Sequence, residues 1–598
     1  MSTTYRPQEI EVPASYHIAE DAALTNIVDD IAGSAPDFVA FQVPGADGWT
    51  DITAARFAAE VHAVAKGLIA SGVQPGDRVG ILSSTRYEWT LLDFAIWTAG
   101  ACTVAIYATS SADQARWILE DSGTRLLIVE HARHQATVTD VAGPELQILR
   151  LDEDAVGTLI ERGKALDDTV IKQRRSEIGA DSWATLIYTA GTTGRPKGVM
   201  LTHRNLLAEV TAVPIALSGF ITPGDRTLMF LPLAHVFARA ISIGALVMRV
   251  TVAHTSDWTT LPDQFATYRP QFIPSVPRVF EKLYNTARQR AVDAGKGRLF
   301  DLAADTAIAW SEALQDHGPG PLLRLRHALF DRLVYAKLRA ALGGRCHAAI
   351  SGGGPLGARL GHFFRGAGIT VYEGYGLTET SAGITVNTAD HIRIGTVGRP
   401  IEGHAVRIAA DGELLVRGPT VFGGYWNNPE ATAASFEDGW FRTGDLGSVD
   451  ADGYVSIIGR KKEILVTAAG KNVSPAPLED VMRAHPLVGQ CLVVGEGRPF
   501  IGVLVTLDRE ALQNWRQRHG VDEEVPITEL VGHPELIGEI NAAVNAANAT
   551  VSSAESIKKT RILPGDWTEE GGELTPKLSL KRAVVLRKYA AEVDALYD

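Results

Sequence analysis

The stretch from Tyr188 to Gly198 reads YTAGTTGRPKG and concentrates glycine, threonine and one lysine in eleven residues. Glycines allow the backbone to turn tightly and to approach a ligand closely. Backbone N–H groups, threonine hydroxyls and a mobile cation, Lys197, that converge on one loop are typical of a phosphate-binding site. The apolar run 183–187 directly before the loop predicts a buried strand. We therefore expect the loop to follow the end of a strand.

The loop does not fit the Walker pattern, which requires Gly-Lys followed directly by Ser or Thr. Here Pro196 precedes Lys197 and Gly198 follows it. The stretch resembles instead the phosphate loop of the adenylate-forming enzymes, which include acyl-CoA synthetases, peptide-synthetase adenylation domains and firefly luciferase. The resemblance implies that the loop holds the phosphates of ATP and that Thr189 also lies beside a metal ion. The loop residues implicated in this way are Thr189, Ala190, Gly191, Thr192, Thr193, Gly194 and Lys197.

Size and composition restrict the class of protein. A chain of 598 residues is too long for one core, so at least two domains are expected. Apolar residues make up 45% and charged residues 21%, which is ordinary for a globular protein. The net charge of −13 provides no basic excess for phosphates and argues against nucleic acid as a partner.

Cysteine spacing and terminal sequence indicate the compartment. Cys102, Cys346 and Cys491 are far apart and show no metal-ligand spacing, which favours reduced, buried thiols. The first residues lack the apolar core of a signal peptide, and no run of 18 apolar residues occurs. We expect a cytoplasmic protein with at most peripheral contact at the inner face of a membrane.

Alternating strand and helix signals predict an α/β fold. The segment 53–71 predicts a helix with Thr53 as N-cap, and 78–82 predicts a strand. A second helix is expected over 323–342, with its basic residues on a solvated face. The turn Asp450–Gly453 and a strand over 454–458 precede a charged segment, where we place the domain boundary.

The predicted organisation is a large N-terminal α/β domain of several subdomains, residues 1–459, followed by a small, mobile α+β C-terminal domain, residues 460–598. The C-terminal piece has the size of one small domain. The large domain is expected to be of the adenylate-forming type and to hold the ATP and acyl sites.

The segment 372–380, YEGYGLTET, offers a base-stacking ring in Tyr375 and a potential Mg²⁺ ligand in Glu379. Its glycines predict a turn in which the backbone approaches a neighbour closely. Taken alone, it also fits an ordinary loop. By resemblance, Tyr375 stacks on adenine, Thr378 contacts the α-phosphate and Glu379 holds Mg²⁺. The nucleotide contacts implied by this segment and by the upstream glycine-rich turn 351–355 are Gly353, Gly354, Tyr372, Glu373, Gly374, Tyr375, Gly376 and Thr378.

The segment 438–447, DGWFRTGDLG, presents Asp445 between Gly444 and Leu446, as from a tight turn. A carboxylate that accepts ribose hydroxyls is a recurrent feature of nucleotide sites, although a turn-capping aspartate fits the residues as well. The resemblance implies that Asp445 binds the ribose. It also places Ile457 and Arg460 at the nucleotide and Lys462 at the hinge between the domains.

Three further segments match the acyl and thiol sides of the family. His235, in FLPLAHVFAR, borders the acyl carboxylate by resemblance and otherwise fits a core histidine. The segment 276–284, VPRVFEKLY, resembles the tunnel entrance of long-chain acyl-CoA synthetases. Ser474–Pro475 predicts an N-cap and first helical residue. The loop before it, with Gly470 and Lys471, is implied to help form the thiol-accepting site.

The C-terminal segment 573–582, ELTPKLSLKR, departs from the family pattern Leu-Thr-Pro-Thr-x-Lys-x-Lys-Arg. Aligned without gaps, the lysine that enters the site during adenylation falls on Ser579. Either Lys577 or Lys581 takes that role. We favour Lys577 because it follows Thr575–Pro576, while a basic surface strand remains the alternative.

The resemblance covers roughly residues 25–585 and implies a bacterial long-chain fatty-acid–CoA ligase. Its reaction is activation of a fatty acid with ATP and Mg²⁺ to an acyl-adenylate, followed by transfer to coenzyme A. The implied catalytic residues are Lys577, Glu379, Thr189 and His235. Three alternatives stay open: loading of a carrier protein in trans, a luciferase-like oxygenase, and a non-catalytic acyl or nucleotide sensor. Chain length, saturation and the choice between monomer and homodimer are also open.

Overall fold

The strand that precedes the Gly/Thr-rich loop lies inside a seven-stranded sheet of the computed structural model, which describes residues 9–45, 48–139, 145–189, 195–575 and 579–598. The predicted strand 183–187 is confirmed as β8 (Trp183–Thr189). Most pairs of neighbouring strands in this sheet are parallel. The exceptions are β8 with β9 (Lys197–Thr202) and β9 with β19 (Gly424–Tyr425), which are antiparallel. In spatial order the strands are β19 (Gly424–Tyr425), β9 (Lys197–Thr202), β8 (Trp183–Thr189), β5 (Cys102–Tyr107), β4 (Arg78–Ser83), β6 (Leu126–Val129) and β7 (Gln147–Arg150).

A second, nine-stranded sheet packs against the same core. Its central strands are parallel and its two edges are antiparallel. In spatial order they are β16 (Arg399–Pro400), β15 (Thr385–Val386), β14 (Thr370–Tyr375), β13 (Ala348–Ser351), β12 (Phe272–Ser275), β10 (Arg226–Met229), β11 (Thr251–His254), β2 (Val39–Gly45) and β3 (Gly48–Thr53).

A third sheet is wholly antiparallel, and smaller sheets follow in the C-terminal part. The third sheet contains β1 (Glu9–Val12), β17 (His404–Ile408), β18 (Glu413–Arg417), β20 (Phe436–Glu437), β21 (Trp440–Val449) and β22 (Val455–Arg460). The C-terminal part contains the pair β23 (Leu465–Val466) and β24 (Asn472–Val473), and a sheet of β25 (Val488–Val494), β26 (Ile501–Leu507) and β27 (Ile557–Leu563).

Helices cover the sheets, and the predicted helix 53–71 is confirmed as α2, whose N-cap Thr53 accepts a hydrogen bond from the backbone N–H of Arg56. The helix predicted over 323–342 forms as α13 and α14, joined by a π-helical segment, Asp331–Tyr335. The helices that pack on the first two sheets or run between their strands are α1 (Thr25–Ser34), α2 (Ala54–Ala70), α3 (Tyr87–Thr98), α4 (Ala112–Ser122), α5 (Ala132–Thr139), α6 (Ala155–Gly163), α7 (Thr169–Ser176), α8 (His203–Leu217), α9 (Val236–Val247), α10 (Leu261–Tyr268), α11 (Pro277–Asp293), α12 (Gly297–Gln315), α13 (Pro321–Phe330), α14 (Ala336–Ala341), α15 (Ala358–Gly366) and α16 (Pro429–Ala434). The C-terminal helices are α17 (Pro475–Arg483), α18 (Arg509–His519), α19 (Ile527–Leu530), α20 (Pro534–Asn548), α21 (Arg582–Lys588) and α22 (Ala590–Asp594).

Buried apolar side chains form separate cores in the two parts of the chain. The largest cluster runs from Leu24 to Val455, and the main C-terminal cluster runs from Val473 to Ile557. The α/β architecture with a large N-terminal domain and a C-terminal domain is confirmed. The predicted boundary between residues 459 and 460 lies in the interval between the two clusters and stays a prediction.

Two expectations about the surface and the interior can be compared with the structure. The thiols of Cys102, Cys346 and Cys491 are buried and free, as expected. Over the described ranges, none of the helices combines the length and the apolar composition that a membrane crossing needs.

A buried ion pair joins the two large sheets. Arg239 on α9 and Asp93 on α3 have side chains that are 1% and 3% exposed, and their guanidinium and carboxylate form a two-point contact. The Arg239 Nη1 donates to Thr185 Oγ1 on β8 at 2.6 Å. The Thr103 hydroxyl on β5 donates to Asp93 Oδ1 at 2.7 Å. Because α9 follows β10 of the nine-stranded sheet, this network fixes one sheet against the other.

Replacing Arg239 with Met is expected to lower the apparent melting temperature by about 5 °C or more, because it leaves the Asp93 carboxylate buried without its partner. The double variant Arg239→Met with Asp93→Leu removes both charges and is expected to recover part of that loss. Differential scanning calorimetry measures both shifts. Arg56→Met is the matched control, because its ion pair with Glu60 lies on the surface and is expected to shift the melting temperature by less than about 1 °C. An unchanged melting temperature for Arg239→Met would contradict this account.

Candidate active site

A cavity of about 2040 Å³ lies at the carboxyl ends of the parallel strands of both large sheets and is also lined by residues of the C-terminal part. Thr189 at the end of β8, Ser351 at the end of β13 and Tyr375 at the end of β14 all line it. Carboxyl ends of parallel strands are the usual position of ligand sites in open α/β sheets. The cavity is therefore the candidate active site.

The strands that flank the Gly/Thr-rich loop place two predicted residues in the cavity wall. Thr189 and Lys197 are paired across the antiparallel β8–β9 hairpin. The Lys197 ammonium lies 4.9 Å from the ring centroid of Tyr425, a cation–π contact that holds the cation beside the cavity. The loop predictions Ala190, Gly191, Thr192, Thr193 and Gly194 lie outside the described residues.

The Glu379 carboxylate contacts the hydroxyl of the same tyrosine. The Tyr425 hydroxyl donates to Glu379 Oε1 at 2.8 Å, and the Glu379 carbonyl accepts from the Phe422 N–H at 2.8 Å. The carboxylate is thus oriented by a phenol and anchored through its own backbone. Burial and the neighbouring Glu379 raise the pKa of Tyr425, so its hydroxyl remains a donor at neutral pH. Tyr425 therefore connects the predicted phosphate-binding lysine to the predicted metal-binding carboxylate.

The predicted adenine and ribose residues meet in a second cluster. The Tyr375 hydroxyl donates to Asp445 Oδ2, and the Arg460 Nε lies 2.8 Å from Asp445 Oδ1. Burial, followed by the Asp445 charge, raises the pKa of Tyr375. Thr378, Ile457 and Lys462 line the same cavity. The structure thus brings together residues from three sequence segments, 372–380, 438–447 and 457–462.

The expectation that Asp445 projects from a tight turn is wrong. Asp445 lies within strand β21, at a register irregularity opposite β18. Gly444 has φ = 72°, which favours glycine, and its N–H donates to the buried Glu413 at 3.0 Å. A strand bulge held by Glu413 therefore presents the carboxylate, rather than a loop.

The turn expected from Gly374 and Gly376 is also only partly right. Gly374 lies in strand β14 and pairs with Val386 of β15. Gly376 follows the strand, and a Cβ added there would lie 1.3 Å from the Ala382 carbonyl oxygen. Gly376 therefore allows the backbone of Ala382 to lie close to it, and this close contact is within the chain rather than with a ligand.

His235 is half-buried in the cavity wall at the start of α9. Its Nδ1 accepts a hydrogen bond from the Phe237 N–H at 3.2 Å, so the ring caps the helix. The cap fixes the imidazole at the start of α9, the helix that contributes apolar side chains to the cavity wall.

Apolar side chains from α8, from α9 and from the residue that follows α9 form another part of the wall. They include Val213, Leu217, Ala240, Ile241 and Met248. From the segment 276–284, the residues Val276, Pro277, Arg278 and Glu281 also line the cavity. One end of the cavity is therefore polar and charged, and another is suited to an apolar chain.

The C-terminal part closes one side of the cavity. Thr575, Ser579, Lys581 and Arg582 line it, and the Ser579 N–H donates to Thr575 Oγ1 at 3.1 Å. Lys577, the favoured catalytic lysine, lies outside the described residues. The alternative residue, Lys581, is on the cavity wall.

Some predicted residues are not brought to the cavity. Tyr372 is not among the lining residues, and its ring stacks on Phe220, with the ring centroids 3.8 Å apart. Gly353 and Gly354, in contrast, do line the cavity. Gly470 and Lys471 do not line it, and the Lys471 Nζ lies 3.3 Å from Glu555 Oε1.

The capping role expected for Ser474 is wrong in detail. Helix α17 begins at Pro475, as expected, but the Ser474 hydroxyl donates to the Ile458 carbonyl at 3.0 Å instead of capping the helix. The side chain therefore ties the helix start to strand β22.

Glu373, at the cavity wall on β14, has a raised pKa. Burial raises its pKa to about 7, Asp480 of α17 adds to this, and a 3.0 Å hydrogen bond from the Leu356 N–H opposes it. Burial likewise raises the pKa of Asp480 to about 6, although the positive charge of the nearby Arg483 lowers it. The charge of Asp480, in the C-terminal part, thus contributes to the raised pKa of Glu373 in the N-terminal part.

Two residues that organise the site were not identified from the sequence. Tyr425 orients Glu379, and Glu413 holds the bulge that presents Asp445. Tyr425 follows the pair Gly423-Gly424, and Glu413 follows Asp411-Gly412, but neither stretch by itself points to a ligand. Their roles arise from contacts between segments that are distant along the chain.

The donors and carboxylates fit a metal–nucleotide ligand. Lys197 could supply a cation for phosphates, and Glu379 could supply the single hard oxygen ligand that Mg²⁺ commonly takes from a protein when phosphates provide others. The paired Asp445 and Tyr375 offer partners for ribose and base. The adjacent apolar wall fits a long aliphatic group.

Two family models match the chain over most of its length. Residues 28–426 match the "AMP-binding enzyme" model, and residues 462–598 match the "AMP-binding enzyme C-terminal domain" model. Among curated proteins, the chain is similar to the long-chain-fatty-acid–CoA ligases FadD15 of Mycobacterium bovis and Mycobacterium tuberculosis. Each is 52% identical over 597 residues, covering 99% of this chain and 100% of the relative.

Solved structures show the same fold at low identity. A Mycobacterium tuberculosis fatty acyl CoA synthetase superposes with a TM-score of 0.62 at 23% identity, covering 95% of this chain and 99% of the other. The O-succinylbenzoate coenzyme A synthetase of Bacillus subtilis, in complex with ATP and magnesium ion, gives a TM-score of 0.66 at 22% identity, covering 93% and 98%.

Glu373 is expected to make stability depend on pH. Because its folded pKa is about 7 and an unfolded glutamate has a pKa near 4.5, the folded state retains a proton that the unfolded state loses. The free energy of unfolding therefore falls as pH rises from about 4.5 to 7, by on the order of 1–3 kcal/mol from this group. Glu373→Gln, which keeps the acceptor for the Leu356 N–H, is expected to remove this slope.

Thermal unfolding at pH 5, 6, 7 and 8 measures the effect as the difference between Glu373→Gln and the unaltered protein. That difference is expected to grow in favour of the variant up to about pH 7 and then to level off. Exposed Glu430→Gln is the control and is expected to show no such trend. A constant difference at all four pH values would mean that Glu373 does not titrate in this range.

Proposed function

The chain belongs to the AMP-binding enzyme family, and we propose that it is a long-chain-fatty-acid–CoA ligase that works through an acyl-adenylate. The observation that carries this proposal is the single cavity in which a phosphate-suited end, with Lys197 and Glu379, opens onto the apolar wall formed by α8 and α9. Both reacting groups, the α-phosphate of ATP and the carboxylate of a fatty acid, can therefore meet within one enclosure.

The first half-reaction joins two anions. A carboxylate oxygen of the fatty acid attacks the α-phosphorus of ATP, and the bond to the bridging oxygen breaks to release pyrophosphate. The enzyme must offset charge repulsion where charge accumulates in the transition state. Lys197 and the hydroxyl of Thr189 are assigned to the phosphates. Thr378 is assigned to the α-phosphate, and Glu379 and Thr189 to Mg²⁺, which when bound neutralises phosphate charge.

The nucleoside is held by the second cluster. The Asp445 carboxylate is assigned to the ribose hydroxyls, since it is 3% exposed and already positioned by Tyr375 and Arg460. The face of the Tyr375 ring is assigned to adenine, with Gly353, Gly354 and Ile457 beside it. His235 is assigned to the acyl carboxylate because it lines the cavity at the start of α9, which also contributes apolar side chains to the wall.

In the second half-reaction, the thiol of coenzyme A attacks the acyl carbon and the bond to AMP breaks. Shielding the adenylate from water requires a cover, which the C-terminal part supplies. We assign the hinge for its movement to Lys462 and the thiol-side loop to Gly470 and Lys471. The division at residues 459/460 would let one cavity present different walls to the two steps.

Purified protein with ATP and Mg²⁺ is expected to release AMP only when both a long-chain acid such as palmitate and coenzyme A are present. Replacing Glu379 with Ala is expected to slow ATP–pyrophosphate exchange by about 100-fold or more. The reason is that the variant loses the carboxylate assigned to Mg²⁺, and with it the metal charge that neutralises the phosphates. Exposed Glu430→Ala is the matched control and should retain exchange.

Other outcomes distinguish the alternative functions. Pyrophosphate exchange that coenzyme A does not affect would favour a carrier-protein acceptor. Absence of AMP release and exchange with every acid tested would favour a non-catalytic sensor. Unchanged exchange in Glu379→Ala would remove this residue from the metal role without affecting the assignment of the reaction.

The adenylation lysine can be identified by separating the two half-reactions. Lys577→Ala is expected to slow adenylate formation by about 100-fold while leaving thioester formation from preformed acyl-adenylate within about 3-fold, since the cation offsets charge only in the first step. Lys581→Ala is the matched comparison, because Lys581 is the neighbouring basic residue on the cavity wall. The reverse pattern would assign the role to Lys581.

A further inference from the structure

The apolar wall of the cavity contains one carboxyl group that the proposed mechanism does not use. Glu209 lies in the middle of α8, is 3% exposed and lines the cavity among apolar neighbours such as Val210 and Val213. A carboxyl group in such surroundings is costly unless its oxygens are hydrogen-bonded.

Only one of the two oxygens is satisfied. The Gly383 N–H donates to Glu209 Oε1 at 2.7 Å. Oε2 is buried and has no hydrogen-bond partner among the residues that the structure describes. Burial disfavours the charged form of this carboxyl and holds the pKa of Glu209 well above its usual range.

The geometry determines what the unsatisfied oxygen offers when the carboxyl is protonated. Oε1, which accepts from the Gly383 N–H, is then the carbonyl oxygen, and Oε2 carries the proton. Oε2–H is then a hydrogen-bond donor, and a buried donor without an acceptor is destabilising. A ligand oxygen placed against it would remove that cost.

We propose that Glu209 is a specificity-determining residue that hydrogen-bonds an oxygen substituent, a hydroxyl or keto group, on the acyl chain. The proposal rests on the proposed function, because it concerns the acyl group of that reaction. Gly383 lies only four residues after Glu379 in sequence. The substituent is therefore expected near the carboxyl end of the chain rather than at the far end.

The test compares acids that differ in one oxygen. Palmitate, its 2-, 3- and 4-hydroxy derivatives and 16-hydroxypalmitate are assayed for AMP release in the presence of coenzyme A. For the unaltered protein, at least one of the first three hydroxy acids is expected to show a kcat/KM about 10-fold above that of palmitate. The 16-hydroxy acid is the control, because it carries the same hydroxyl group at the far end of the chain, where Glu209 is not expected to reach it.

Two variants separate recognition from structure. Glu209→Gln keeps an acceptor for Gly383 and a donor toward the cavity, and is expected to retain the preference within about 3-fold. Glu209→Leu has neither group, and its kcat/KM ratio between the hydroxy acid and palmitate is expected to fall to about 1 or below. The ratio, rather than absolute activity, is the readout, since loss of the Gly383 bond also affects the neighbouring loop.

Equal kcat/KM values for palmitate and all three hydroxy acids in the unaltered protein would overturn the proposal, and this comparison does not depend on the folding of any variant. A preference that survives unchanged in Glu209→Leu would also overturn it. Equilibrium binding of the same acids by isothermal titration calorimetry gives the ratio of dissociation constants without turnover. Absence of AMP release from every acid would therefore reject the proposed ligase function, while the binding ratio would still decide the role of Glu209.

Discussion

The buried ion pair between Arg239 and Asp93 is the constraint on which the arrangement of the two large sheets depends. Two charges removed from water are tolerated only with close geometry and with further hydrogen bonds, which Thr185 and Thr103 supply. Because these partners come from α9, α3, β8 and β5, a shift of one sheet against the other would break several bonds at once. The same α9 begins beside His235, and the same β8 ends at Thr189, so the pair also sets the distance across the site.

The cavity illustrates how one enclosure can serve two kinds of chemistry. Its polar end is built from strand ends and loops, where backbone groups and side chains such as Lys197 and Glu379 converge. Its apolar end is built from helix faces, which present side chains without exposing backbone polar groups. Tyr425 orients the Glu379 carboxylate by a hydrogen bond, and Glu413 holds the strand bulge that presents Asp445.

The contact between the two parts of the chain is polar and responsive to protonation. Glu373 and Asp480 both have raised pKa values because burial disfavours their charges. Close by, Arg278 of α11 donates to the Gly489 carbonyl of β25 at 2.7 Å. Polar contacts of this kind exchange for water at a smaller cost than an apolar interface does, which suits the movement proposed for the C-terminal part.

The sequence by itself determined the fold class, the family and most of the residues at the polar end. These are encoded locally: glycine spacing marks tight backbone, and alternating strand and helix signals mark an α/β chain. Only the tertiary structure decided that Asp445 projects from a strand bulge, that Tyr372 packs on Phe220 away from the cavity, and that Tyr425 and Glu413 orient the carboxylates. It also decided that Glu209 faces an apolar wall with one oxygen unsatisfied. The physical reason is that hydrogen bonding and burial depend on contacts between residues far apart in the chain, which no local pattern records.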